Sequence, residues 1–178
     1  VHLNGSTTIG PDSTDKRVTG TVEEAIRAGA DAVSIHLNIG SQHEHDQLED
    51  LARVGDRAAQ YGLPVLAMCY VRGHDVEATN PDQLAHAVRI GEELGADLIK
   101  TAYSGDAESF ETVTAATTKP VLIAGGKPDT DEETLAAVRG AMDAGAAGVS
   151  MGRSIFQHAN PQAMTRAVAG VVHDDLSA

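Results

Sequence analysis

The chain contains no tryptophan, and aromatic residues of every kind make up only 3% of it. Any core must therefore be aliphatic, built on Val, Leu, Ile and Ala. There is one cysteine, Cys69, so no internal disulfide can form, and a reducing cytoplasmic location is expected. Basic residues are scarce: 13 Lys and Arg stand against 26 Asp and Glu, a net charge of −13. Such a chain repels a phosphate backbone, which argues against nucleic acid as a partner. Only four of the basic residues are Lys, against nine Arg; an acid-rich, Lys-poor surface fits a high-salt cytoplasm, where the repulsion is screened. No apolar run approaches the ~18 residues of a membrane span. The opening Val1-His2-Leu3-Asn4-Gly5 lacks the basic and apolar regions of a signal peptide. Neither G-x-G-x-x-G nor a phosphate-binding P-loop sequence occurs.

What is present is 42% apolar residues over 178 positions, enough for one folded domain, here 1–178. Three segments share one pattern: Ala28-Gly29-Ala30-Asp31, Leu94-Gly95-Ala96-Asp97 and Ala144-Gly145-Ala146-Ala147. Each closes a helix-like run with glycine, which suits a left-handed helix end, and leads into a short apolar run of strand length. Two other runs start with proline, Pro64-Val65-Leu66-Ala67-Met68 and Pro120-Val121-Leu122-Ile123-Ala124, where the missing N–H is not needed by a ladder. Helix starts are marked by a Thr21–Glu24 capping box, by Asn80-Pro81 and by Thr130 or Asp131.

Strand starts are expected near residues 1, 32, 65, 97, 120 and 148, spaced at roughly the 30 residues of a βα unit. Strands alternating with helices imply a parallel sheet. The fold class expected is α/β, a (β/α)₈ TIM barrel. A full barrel takes about 250 residues, so about six units are expected, strands 3–8, with the first two absent. The abrupt Val1 is read as a cut end, and the strand edges at 1–4 and 148–151 as open to pairing or aggregation.

Barrel chemistry gathers at the C-terminal strand ends. Lys100 ends Asp97-Leu98-Ile99-Lys100 and shares a face with Leu98. Facing inward, it would be a desolvated, nucleophilic amine of the kind Schiff-base enzymes use; facing outward, it would snorkel to solvent. Tyr70 shares a face with Leu66 and Met68, placed either to donate a proton or to cap the core. Arg72 follows it as an anion-binding fork. Ser34, His36 and Asn38 alternate along one face, a polar layer near a mouth in which His36 either shuttles protons or orients its neighbours. Gly125-Gly126-Lys127 and Gly152-Arg153 follow the last two strands, the usual phosphate position of this architecture. His43-Glu44-His45 lacks metal-ligand spacing and reads as a helix start; no metal is expected.

Lys100-Thr101-Ala102-Tyr103-Ser104-Gly105-Asp106, Ile123-Ala124-Gly125-Gly126 and Gly148-Val149-Ser150-Met151-Gly152-Arg153-Ser154-Ile155-Phe156-Gln157-His158 resemble the archaeal DhnA-type class I aldolases. The opening Val1–Pro11 and Ile35-His36-Leu37-Asn38-Ile39-Gly40-Ser41 are closest to the heptulosonate-forming members of haloarchaea. The resemblance implies a lysine Schiff base with a ketose phosphate and transfer of a three-carbon fragment to L-aspartate semialdehyde, a step towards 3-dehydroquinate and the aromatic amino acids. It implies Lys100 as the imine lysine and Tyr70 as the proton donor. Tyr70-Val71-Arg72, Gly125, Gly126, Gly152 and Arg153 would hold the sugar phosphate. It implies no cofactor beyond the covalent imine, and a homo-oligomer. The sequence departs from the family at Val71, where the family has Pro, and in lacking the Asp-His-Gly segment that supplies the family's general base. The 178 residues alone are therefore expected to turn over poorly. Met68 stands where fructose-bisphosphate aldolases of the family tend to have Trp, which favours the heptulosonate branch over that aldolase; a non-catalytic sugar-phosphate-binding barrel piece is the alternative of another class.

Overall fold

The computed structural model describes residues 1–126 and 130–178. Lys127, part of the expected phosphate loop, lies outside the described residues. Five parallel strands form one sheet: β3 (Val33–Ile39), β4 (Val65–Val71), β5 (Leu98–Thr101), β6 (Val121–Ala124) and β7 (Gly148–Ser150), in that spatial order. Helices α1 (Val22–Arg27), α2 (Glu44–Ala59), α3 (Pro81–Glu93), α4 (Ala107–Ala115), α5 (Asp131–Asp143), α6 (Arg153–Phe156) and α7 (Pro161–His173) alternate with them. This is the TIM-barrel-like α/β arrangement. No helix among the described residues is long and apolar enough to cross a membrane.

The repeated Ala-Gly-Ala segments are helix terminators of one kind. Gly29, Gly95 and Gly145 all have positive φ, at 80°, 96° and 84°. The residue after each donates back to the fifth carbonyl before it: Ala30 to Ala25, Ala96 to Gly91 and Ala146 to Ala141, at 2.9–3.0 Å. That is the Schellman closure, which turns the chain directly into the next strand. The helix starts follow the sequence too. Thr21 and Glu24 form a reciprocal capping box, Asn80 caps α3 with Pro81 behind it, and Thr130, rather than Asp131, caps α5. Helix α2 begins at Glu44 with His43 at its N-cap.

Strand alternation divides the side chains into two sets. Val33, Ile35, Leu37, Val65, Ala67, Cys69, Ile99, Val121 and Ile123 are buried under the helices, against Leu51, Leu84, Val88, Phe110 and Val138. The opposite face carries Ser34, His36, Leu66, Met68, Tyr70, Leu98, Lys100 and Leu122, all half-buried.

The strand expected at residue 1 is a correction. It reduces to one parallel bridge, His2 to Ser34, followed by a two-residue antiparallel pair, β1 (Asn4–Gly5) with β2 (Arg17–Val18). The backbone ladder gives out because a side chain takes it over. The Asn4 amide accepts from the His36 N–H and donates to the His36 carbonyl, both at 2.9 Å, as a peptide group would.

Candidate active site

The inward face ends in a cavity of about 750 Å³ at the C-terminal ends of the strands. Tyr70, Val71, Arg72, Lys100, Gly125, Gly126, Gly152 and Arg153 all line it. Residues up to 83 positions apart, Tyr70 and Arg153, are thus brought to one place by strand-end register alone.

Lys100 is held between apolar neighbours. Its ladder partners are Met68 on β4 and Leu122 on β6, and Leu98 precedes it on the same face. Desolvation therefore pulls its pKa below the ordinary lysine value, and no salt bridge opposes that among the described residues. The inward reading holds, and Lys100 does not snorkel outward.

Tyr70 is gripped on two sides. The Arg72 guanidinium lies over its ring, 4.6 Å from the centroid, and the His36 ring packs 5.0 Å away, tilted by 43°. Burial raises the phenol pKa, against a smaller lowering by Arg72, so the hydroxyl keeps its proton at neutral pH. His36 does not line the cavity itself. It sits behind Tyr70, and burial drives its pKa down to about 4 despite a hydrogen bond to Asn38. Val71 points with Val65, Ala67 and Cys69 into the buried layer, so what it can offer the cavity is backbone.

The two glycine segments meet. Ser154 Oγ donates to the Gly125 carbonyl at 2.9 Å, and a Cβ on Gly125 would come within 2.8 Å of that hydroxyl. Gly126 has φ +53°. Only glycine serves both positions without displacement. Arg153, next to Gly152, has no carboxylate partner among the described residues.

Two contributors escaped the sequence reading: Ser154 ties the two glycine segments together, and Tyr103 forms part of the wall. Lys16 does not line the cavity, but after burial the Arg72 charge lowers its pKa further. Ser154 was visible in the motif Gly152-Arg153-Ser154 but had no strand-end position to mark it. Lys16 lies in a Ser/Thr/Asp-rich loop that carried no signal. No group of three metal-capable side chains occurs among the described residues; His43 instead lies 3.2 Å from Asp12.

A family model for DeoC/LacD aldolases matches residues 1–158. The chain belongs to the DeoC/LacD aldolase family. Over 175 residues, 98% of its length, this DeoC/LacD chain is 64% identical to the 2-amino-3,7-dideoxy-D-threo-hept-6-ulosonate synthase of Halobacterium salinarum, and it spans 66% of that relative. Among solved structures it is similar to an archaeal fructose 1,6-bisphosphate aldolase, with a TM-score of 0.93 at 37% identity, covering 98% of this chain and 70% of that one. It is similar also to an archaeal aldolase of that activity whose catalytic Lys is covalently bound to the carbinolamine intermediate, with a TM-score of 0.92 at 36% identity, covering 97% and 70%. The family resemblance read from the motifs is thus borne out over nearly the whole chain.

Proposed function

We propose that this chain provides the imine-forming and phosphate-holding part of a Schiff-base aldolase or transaldolase, and that its reaction is formation of 2-amino-3,7-dideoxy-D-threo-hept-6-ulosonate. The observation that carries this is Lys100: an amine with a lowered pKa, between Met68 and Leu122, opening into a cavity that Arg72 and Arg153 line. The neutral amine attacks the ketone of a ketose phosphate, and loss of water leaves a protonated imine. Cleavage of the adjacent carbon–carbon bond leaves its electron pair on the imine as an enamine, while the hydroxyl on the departing carbon gives up its proton and that portion leaves as an aldehyde. That enamine attacks the aldehyde of L-aspartate semialdehyde, and water releases the product. Tyr70 donates and retrieves a proton in this cycle; His36 supports it. Gly125, Gly126, Gly152, Arg153 and the Tyr70-Val71-Arg72 strand end hold the sugar phosphate. No cofactor beyond the covalent imine is invoked. The sheet, with its opening bridge, is read as six successive positions of an eight-stranded barrel.

The high identity to the Halobacterium salinarum synthase favours the heptulosonate over the fructose-bisphosphate reaction. Borohydride trapping with a ketose phosphate tests the imine. We expect a mass adduct on Lys100 that Lys100→Met lacks, with folding intact, because methionine fits between Met68 and Leu122 without a charge to desolvate. No adduct on the wild type would leave a non-catalytic sugar-phosphate binder. Supplying L-aspartate semialdehyde or glyceraldehyde 3-phosphate as acceptor then separates the two aldol reactions: turnover with the second alone would sink the heptulosonate assignment.

A further inference from the structure

We propose that Asn38 is a positioning residue for this site: it accepts the Nε2 proton of His36, fixes that ring as the neutral Nε2–H tautomer, and through it seats the Tyr70 ring. The proposal rests on the reading of Tyr70 as proton donor.

The hydrogen bonds leave one arrangement. Asn38 is fully buried. Its backbone N–H donates to Gln47 Oε1 at 2.7 Å, and its Nδ2 donates to the Thr14 carbonyl at 2.8 Å. Turning the amide over would set oxygen against oxygen, so Oδ1 must face His36 Nε2, 2.9 Å away. An amide oxygen only accepts. Nε2 therefore carries the proton, and Nδ1 of the neutral ring is bare. Gln47, itself buried, donates to the same Thr14 carbonyl at 2.7 Å, so the acceptor that orients Asn38 is held twice. From the other side the Asn4 amide pins the His36 backbone.

The register sets Asn38 directly opposite Tyr70 across the β3–β4 ladder. His36, Asn38 and Tyr70 thus share one face, with the imidazole against the phenol ring. The charged and titratable groups acting on His36 are Arg72, Lys16 and His2, which all disfavour an imidazolium. With His36 neutral, Arg72 is the cation that acts on the phenol, burial prevails, and Tyr70 stays protonated.

Ring ¹⁵N resonances of His36 followed against pH in the wild type test the first half. We expect the Nε2–H pattern and a midpoint near 4. Asn38→Asp keeps an acceptor at Nε2 but adds a negative charge, and should raise that midpoint by about one to three units. Below the new midpoint the variant's kcat should fall while KM stays level, and above it kcat should recover. An Nδ1–H tautomer or an ordinary midpoint near 6.5 in the wild type overturns the proposal; so does a raised midpoint in Asn38→Asp with an unchanged kcat profile. Should Asn38→Asp not fold, His36→Gln takes its place: its amide can still donate to Asn38 but offers no ring to Tyr70. A wild-type kcat in that variant also overturns the proposal. Absence of the Lys100 adduct in the wild type would sink the aldolase reading instead, and the tautomer and midpoint would still report on Asn38 alone.

Discussion

A single hydroxyl separates Tyr70 from phenylalanine, and the grip on its ring does not involve that hydroxyl. Arg72 and His36 both contact the ring. Tyr70→Phe should therefore fold as the wild type does and still form the Lys100 adduct. Its turnover should fall by about 10²–10⁴, the usual value of one positioned proton donor. Steady-state rates alongside borohydride trapping check this, and turnover within a few-fold of wild type would remove Tyr70 from the proton path. His36 carries a different consequence. The unfolded chain takes up its imidazole proton near pH 6.5, the folded one only near 4, so acid favours unfolding. The stabilisation is complete above pH 6.5 and is lost as pH falls towards 4, on the order of 3 kcal/mol in all. Urea midpoints at pH 7.5 and 4.5 should thus differ more for the wild type than for His36→Gln. Equal differences would mean that His36 is not held neutral.

At the scale of elements, the three Schellman glycines are where a Cβ is costly through backbone conformation and not through collision, since it would meet nothing closer than 3.4 Å at any of them. Gly95 has φ +96°, so Gly95→Ala should lose about 1–2 kcal/mol from backbone strain alone. A Cβ on Gly5, which meets nothing within 4 Å and has no positive φ, should cost under about 0.5 kcal/mol. Urea denaturation of the two variants makes the comparison; equal losses would refute the conformational account. These glycines were legible in the sequence because helix termination is local: Gly, its neighbours and the capping residues lie within one turn. Strand ends were legible for the same reason, since period-2 alternation around Lys100 and Tyr70 needs only a few residues. The Asn4 amide that replaces a strand was not, because its partner His36 is 32 residues away. Nor was the close approach behind Arg72. A Cβ on Gly73 would overlap the Gly40 carbonyl, so Gly73 lets the ends of β3 and β4 meet, with the Arg72 N–H donating to the Ile39 carbonyl at 2.9 Å. Local grammar writes the elements; contacts between distant segments decide where Arg72 and His36 stand around the phenol.

At the scale of the whole molecule, the charge of −13 and the cations of the site respond to salt in opposite ways. Surface pairs such as Arg17–Asp46 and Arg89–Glu93, with side chains more than half exposed, contribute at most about 1 kcal/mol each and weaken as salt rises. The unpaired acids outnumber them, and their mutual repulsion weakens as well, because the screening length falls from about 10 Å at 0.1 M to about 3 Å at 1 M. Repulsion among the excess acids is the larger effect, so KCl should raise Tm; a net gain of about 1 kcal/mol moves it by about 2–4 °C. KCl is the salt to use, since sulfate would also strengthen apolar burial. The same screening acts on Arg72 and Arg153, which line the cavity; under the proposed reading they draw an anionic ketose phosphate into it on an otherwise negative molecule. The KM for the phosphate donor should therefore rise over the salt range in which Tm climbs. A falling Tm would mean that the ion pairs outweigh the acid excess, and a KM indifferent to KCl would place the phosphate beyond the reach of those two cations.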